Sequence, residues 1–171
     1  MANSIDVIER AREVATKLRE RARAVDKDRE IHVESVKDLH ESGLLAMSTP
    51  RSMGGTEADL VTIVSVFEIL ASACASTTWC LVNHIAACSI LQRCLGDRSE
   101  TYLQAVVEEG AALGFGAVPS EAETRAVEGG YISSGRWPFI SFSLRCRWVL
   151  LITRVHGGPA DQSPTGPDGR C

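Results

Sequence analysis

Apolar residues recur every three or four positions near the start of the chain, at Ile5, Ile8, Ala11, Ala15, Leu18, Ala22 and Val25, with charged residues between them. That period predicts one long amphipathic helix. Asp28 is placed to cap a second helix over Arg29–Glu41, whose apolar positions are Ile31, Val36 and Leu39, and Gly43 is a stop signal. Residues 44–56 read as a loop, punctuated by Pro50 and the pair Gly54-Gly55. Asp59 opens a third helix to about Ala75 that is apolar on most faces, a pattern expected of a buried element. Ser76, Thr77 or Thr78 can cap a fourth helix to about Leu95. Gly96-Asp97 breaks it, and a fifth follows over residues 98–109.

The period changes at Gly110. Residues 113–118 form a short glycine-interrupted run, and Gly129-Gly130 lies between two alternating stretches within Arg125–Ser134, a hairpin signal. Trp137–Phe142 and Trp148–Val155 read as two further strands, while Gly, Pro, Asp and Ser dominate from His156 onward. The expected class is α+β. An all-helical domain of about five helices occupies residues 1–110, a partial antiparallel β domain residues 111–155, and a disordered tail residues 156–171. So few strands leave a sheet edge unpaired, so the β domain is expected to be truncated.

Composition narrows the function. A net charge of -4 gives no footprint for nucleic acid or an anionic membrane, and 5% aromatic residues are too few for a base-stacking platform. Residues 69–92 lack Asp, Glu, Lys and Arg, but Ser76-Thr77-Thr78 and Asn83-His84 would be costly in hydrocarbon, so no membrane span is expected. The N-terminus lacks the apolar stretch of a secretory signal. The six cysteines match neither zinc-ligand nor disulfide-scaffold spacing. Free thiols in the cytoplasm and no metal are the reading that follows.

Three places could carry chemistry. In Gly135–Ser141 (GRWPFIS), two aromatics and a hydroxyl could wall a flat ligand, or Trp137 and Phe139 could be ordinary core. Gly114–Ser120 (GFGAVPS) could bring backbone amides close to a ring edge or a phosphate, or form a plain tight turn. His84 could orient or deprotonate a phenol-like substrate, or sit hydrogen-bonded in the core. No phosphate-binding loop, nucleophile elbow or paired-histidine motif is present.

Taken together, LHESGLLAMSTPRSMGG (Leu39–Gly55), ASTTWCLVNH (Ala75–His84) and GGYISSGRWPFISFSLRCRW (Gly129–Trp148) resemble the acyl-CoA dehydrogenase superfamily. The run Ser134–Phe139 (SGRWPF) is more specific and is similar to the two-component flavin-dependent monooxygenase branch, the aromatic hydroxylases. The resemblance covers about Ile5–Val155. It implies a flavin cofactor, FAD or reduced FMN, delivered by a flavin reductase, and hydroxylation of a small-molecule substrate by a flavin hydroperoxide. It implies that Trp137, Phe139 and Ser141 line the flavin, with Ser141 near ring nitrogen N5. Ala117, Val118 and Ser120 would supply flavin-side backbone, and His84 and Ser141 would be the catalytic pair, His84 facing the substrate. A homo-oligomer is also implied. Phe142 stands where the family carries glycine, so it would block the flavin or redirect the strand. The family continues for about two hundred residues more, the size of a further domain. That part includes a C-terminal helical bundle, so this chain is expected to be truncated and its activity alone is open. Two alternatives remain: a fragment of an acyl-CoA dehydrogenase proper, which would act on an acyl thioester, and a non-catalytic helical interaction protein.

Overall fold

The computed structural model describes residues 4–117 and 122–156. The helical period at the N-terminus becomes α1 (Ser4–Asp28), followed by α2 (Val33–Glu41), α3 (Leu60–Ala71), α4 (Ala75–Leu95) and α5 (Glu100–Glu109). The strands are β1 (Leu113–Gly116), β2 (Glu123–Val127), β3 (Gly130–Ser134), β4 (Trp148–Leu151) and β5 (Val155–His156). The class is α+β as expected, but the strand pairing differs from a purely antiparallel sheet. β2 pairs antiparallel with β3 and parallel with β5. β1 pairs with β4 in a separate two-stranded sheet. Arg147 N donates to Ala112 O and Ile152 N to Gly116 O, so these two strands also run the same way.

The chain packs as two units. One is Met1–Phe115 with Ser141–Leu150, and the other is Gly116–Ile140 with Leu151–Cys171. In the first unit α1 buries Val7, Ala11, Val14, Ala15 and Leu18 and packs against α3. Each fully buried aliphatic side chain there contributes roughly 1.5–3 kcal/mol. Asp38 of α2 accepts from Lys17 (2.7 Å) and Arg21 (2.6 Å), which ties α2 to α1. Burial works to raise the Asp38 carboxyl, but those hydrogen bonds outweigh it and hold the group below the usual carboxylate range. Asp59 caps α3 by accepting from Thr62 N at 2.9 Å, as its position implied. The loop before it folds back tightly: a Cβ on Gly55 would lie 2.1 Å from Thr49 O, so the second glycine of the Gly54-Gly55 pair is sterically required.

Four sequence expectations are corrected. Asp28 does not cap α2; it ends α1, Arg29 adopts φ 53°, and the turn delays α2 until Val33. There Asp28 Oδ2 lies 3.3 Å from His32 Nε2. The fourth helix has Cys74, not a hydroxyl residue, as its N-cap. α3 is not buried all round: Leu60, Val61 and Val64 are exposed. Residues 137–142 form no strand, because Pro138 lacks an amide donor and Phe139 and Phe142 both take positive φ, at 60° and 76°. The expected tail lies mostly outside the described residues.

Candidate functional site

Segment 141–150 is tied to the helices through Arg145 and Phe142, among other contacts. Arg145 Nε donates to Ile31 O at 3.0 Å, and its guanidinium pairs with Glu30. Phe142 is 6% exposed and meets the His84 ring edge-on, with centroids 6.4 Å apart. Its φ of 76° explains the glycine that the resemblance leads one to expect at this position. The aromatic side chain keeps the glycine-type backbone and drops into the helical core. Of the two expectations for Phe142, the positive φ turns the backbone out of strand conformation, and the ring itself is buried in the core of the helical unit.

His84 has no exposed surface. Its Nε2 lies 3.0 Å from Leu45 O, and its Nδ1 accepts from Leu113 N at 2.9 Å. The Nε2–H tautomer satisfies both partners. Burial lowers its pKa to about 4, against the two backbone hydrogen bonds, so the ring is neutral. With both nitrogens engaged by backbone, the arrangement is that of the hydrogen-bonded core histidine and not of a substrate-facing base. Cys88 Sγ packs 3.6 Å from the same ring, and burial pushes its thiol up to about 12. Burial likewise pushes Cys80 up to about 11. These thiols are poor nucleophiles.

Ser141 is half-buried beside Trp79 of α4, and the indole Nε1–H donates to Ser141 Oγ at 3.0 Å. This bond takes one lone pair of the hydroxyl. The O–H and the second lone pair are left, so the group can still both donate and accept. Trp79 is 60% exposed. It sits inside the Ala75–His84 run, where no local motif marks it as a site residue. It lies five residues before His84, roughly 140° round the helix, so it cannot share His84's buried face. A large aromatic off the buried face was the available signal.

In the second unit Trp137 is half-buried and its Nε1–H donates to Ile152 O at 2.9 Å. Phe139 is 86% exposed, so it is not a core residue. Ala117 is exposed, and Val118 and Ser120 lie outside the described residues. A Cβ at Gly116 would sit 2.8 Å from Leu151 Cδ2, so that side chain would have to swing aside. Among the described residues no group of three or more His, Cys, Asp or Glu gathers to hold a metal. No described helix is long and apolar enough to cross a membrane.

The oxygenase subunit HsaA of a flavin-dependent monooxygenase from Rhodococcus jostii (strain RHA1) is 31% identical over 150 residues, which is 83% of this chain and 35% of that protein. The crystal structure of 3-HSA hydroxylase from Rhodococcus sp. RHA1 superposes with a TM-score of 0.74 at 27% identity, covering 88% of this chain and 38% of that one. XiaF from Streptomyces sp., solved in complex with FADH2 and glycerol, superposes with a TM-score of 0.75 at 25% identity, covering 89% and 38%. The chain thus spans about a third of the length of the curated relatives it matches. The family model for the N-terminal domain of the acyl-CoA dehydrogenases matches residues 5–110, more than half of the sequence, and the chain therefore belongs to the acyl-CoA dehydrogenase family.

Proposed function

We propose that this chain is a portion of the oxygenase component of a two-component flavin-dependent monooxygenase. The observation that carries the reading is the Ser141 hydroxyl, fixed by the Trp79 indole and left with one donor and one acceptor valence beside an exposed aromatic face. That donor set fits the edge of a flavin ring, whose nitrogens accept in one redox state and donate in another. The kinship with an oxygenase subunit and with a protein solved with FADH2 supports the same cofactor. A reduced flavin, when bound, would supply the two electrons that activate dioxygen, which is the source of the inserted oxygen atom. Ser141 would hold the ring edge by its hydroxyl. Trp137, Phe139, Ala117, Val118 and Ser120 are further flavin contacts on the strength of the family resemblance. In this reading His84 transfers no proton; it ties Leu45 to Leu113 and keeps the floor beneath Phe142 in place. The partner is a separate flavin reductase and the substrate a small aromatic molecule. The reaction belongs in the reducing cytoplasm, in keeping with the free thiols at Cys74, Cys80 and Cys88.

The test is a fluorescence titration of the chain with oxidised and reduced FAD and FMN, followed by incubation with a flavin reductase, NADH and a phenol. Saturable binding at micromolar flavin, about -8 kcal/mol, is the expected result. A folded chain that binds neither flavin would overturn the reading.

A second reading draws on Leu60, Val61 and Val64 of α3, which are exposed apolar residues. It is a non-catalytic helical protein whose α3 meets a second copy of the chain. A monomer in sedimentation at micromolar concentration would count against it.

A further inference from the structure

We propose that Trp79 is a positioning residue for Ser141, setting the hydroxyl for the edge of a bound flavin ring. This rests on the flavin reading above and adds a residue to it. Three observations carry it. The indole N–H reaches Ser141 Oγ at 3.0 Å across 62 positions of sequence, so the bond is tertiary and not a helical accident. Neither partner is driven together by burial, since Trp79 is 60% exposed and Ser141 is half-buried. The exposed indole face lies beside the hydroxyl it holds, where a flat ring meeting Ser141 would stack on it.

The geometry gives Trp79 a defined effect. An unpaired serine hydroxyl on a turn samples three rotamers and rotates its proton freely. Phe142, locked against His84, holds the backbone next to Ser141, and the indole bond then selects the side-chain rotamer. Asn83 Nδ2 donates to Trp79 O at 2.8 Å, one further tie on that turn of α4. With one lone pair occupied, the hydroxyl meets a ring nitrogen with its remaining donor or its remaining acceptor.

The experiment uses the full chain and the variants Trp79→Phe, Ser141→Ala and the double variant. Phenylalanine keeps a ring and removes only the N–H. The first readout needs no flavin. In a nitrogen-15 spectrum the indole resonance that Trp79→Phe removes is assigned to Trp79. Ser141→Ala is expected to shift it and to speed its exchange with solvent about tenfold. The second readout is the flavin titration. Each single variant is expected to weaken binding about fivefold, the scale of one neutral hydrogen bond. The double variant is expected to be little weaker than either single one, because both remove the same arrangement. An indole resonance unmoved by Ser141→Ala would overturn the pairing. Losses that multiply in the double variant would overturn the positioning role. A responsive indole in a folded chain that binds no flavin would sink the flavin reading and the positioning role with it, leaving Trp79–Ser141 as a structural contact.

Discussion

At the scale of single residues, His84 makes a sign-definite prediction. Its pKa falls from an ordinary 6.5 to about 4 on burial, so the unfolded chain binds the extra proton between those values. Stability should therefore be full above pH 6.5 and fall as pH drops toward 4. Between pH 6.5 and 5 the loss should be on the order of 2 kcal/mol. Asp38 and Asp59 have lowered pKa values and titrate below that window, so they do not confuse it. Urea midpoints for the wild type and His84→Gln across this range check the claim; equal slopes would refute it. Phe142 offers a second test. Removing its buried ring should cost about 3 kcal/mol. Glycine ordinarily destabilises more than alanine, but at φ 76° the order should reverse. Phe142→Gly should then be more stable than Phe142→Ala by about 1 kcal/mol.

At the scale of elements, Asp59→Ala removes the side-chain cap of α3 and should cost about 1 kcal/mol in thermal or urea unfolding. At the end of β1, Gly116→Ala presses mainly on the tip of the partly exposed Leu151 side chain, which can swing aside, so it should change stability by less than about 1 kcal/mol. Much of this level was legible in the sequence. The heptad-like spacing of Ile8, Ala11, Ala15 and Leu18 specified α1, Asp59 marked its helix, and Glu128-Gly129 closes the β2–β3 hairpin one residue before the glycine pair suggested. Where reading failed, local signals were outweighed by tertiary ones. Asp28 looks like a cap in sequence, yet α1 still has apolar surface to bury at Val25 and runs on through it. The apolar wealth of α3 reports composition and not covering, so Leu60 and Val61 were misread as buried. Residues 137–142 alternate like a strand but carry Pro138 and two left-handed phenylalanines, and the positive φ values follow from anchoring that no local pattern encodes.

At the scale of the molecule, the helical unit is discontinuous, because Ser141–Leu150 packs with Met1–Phe115. A chain ending at Ile140 would lose Phe142, Arg145 and Trp148 from that unit. Its melting temperature, followed by circular dichroism at the helical band, should fall by on the order of 10 °C. An unchanged melt would mean that the segment only decorates the surface. This discontinuity also explains why the candidate site was only half legible. Ser141 was reached through family resemblance, but its partner Trp79 lies 62 positions earlier, and no spacing rule links the two.

The same arrangement has a consequence for how the protein is made. During synthesis the five helices leave the ribosome before the segment that completes their core. The His84 ring must therefore wait for Phe142 with part of its surface open to the cell. Ribosome-bound chains stalled before and after this segment should differ sharply in protease resistance, and the earlier ones should be the better clients for chaperones.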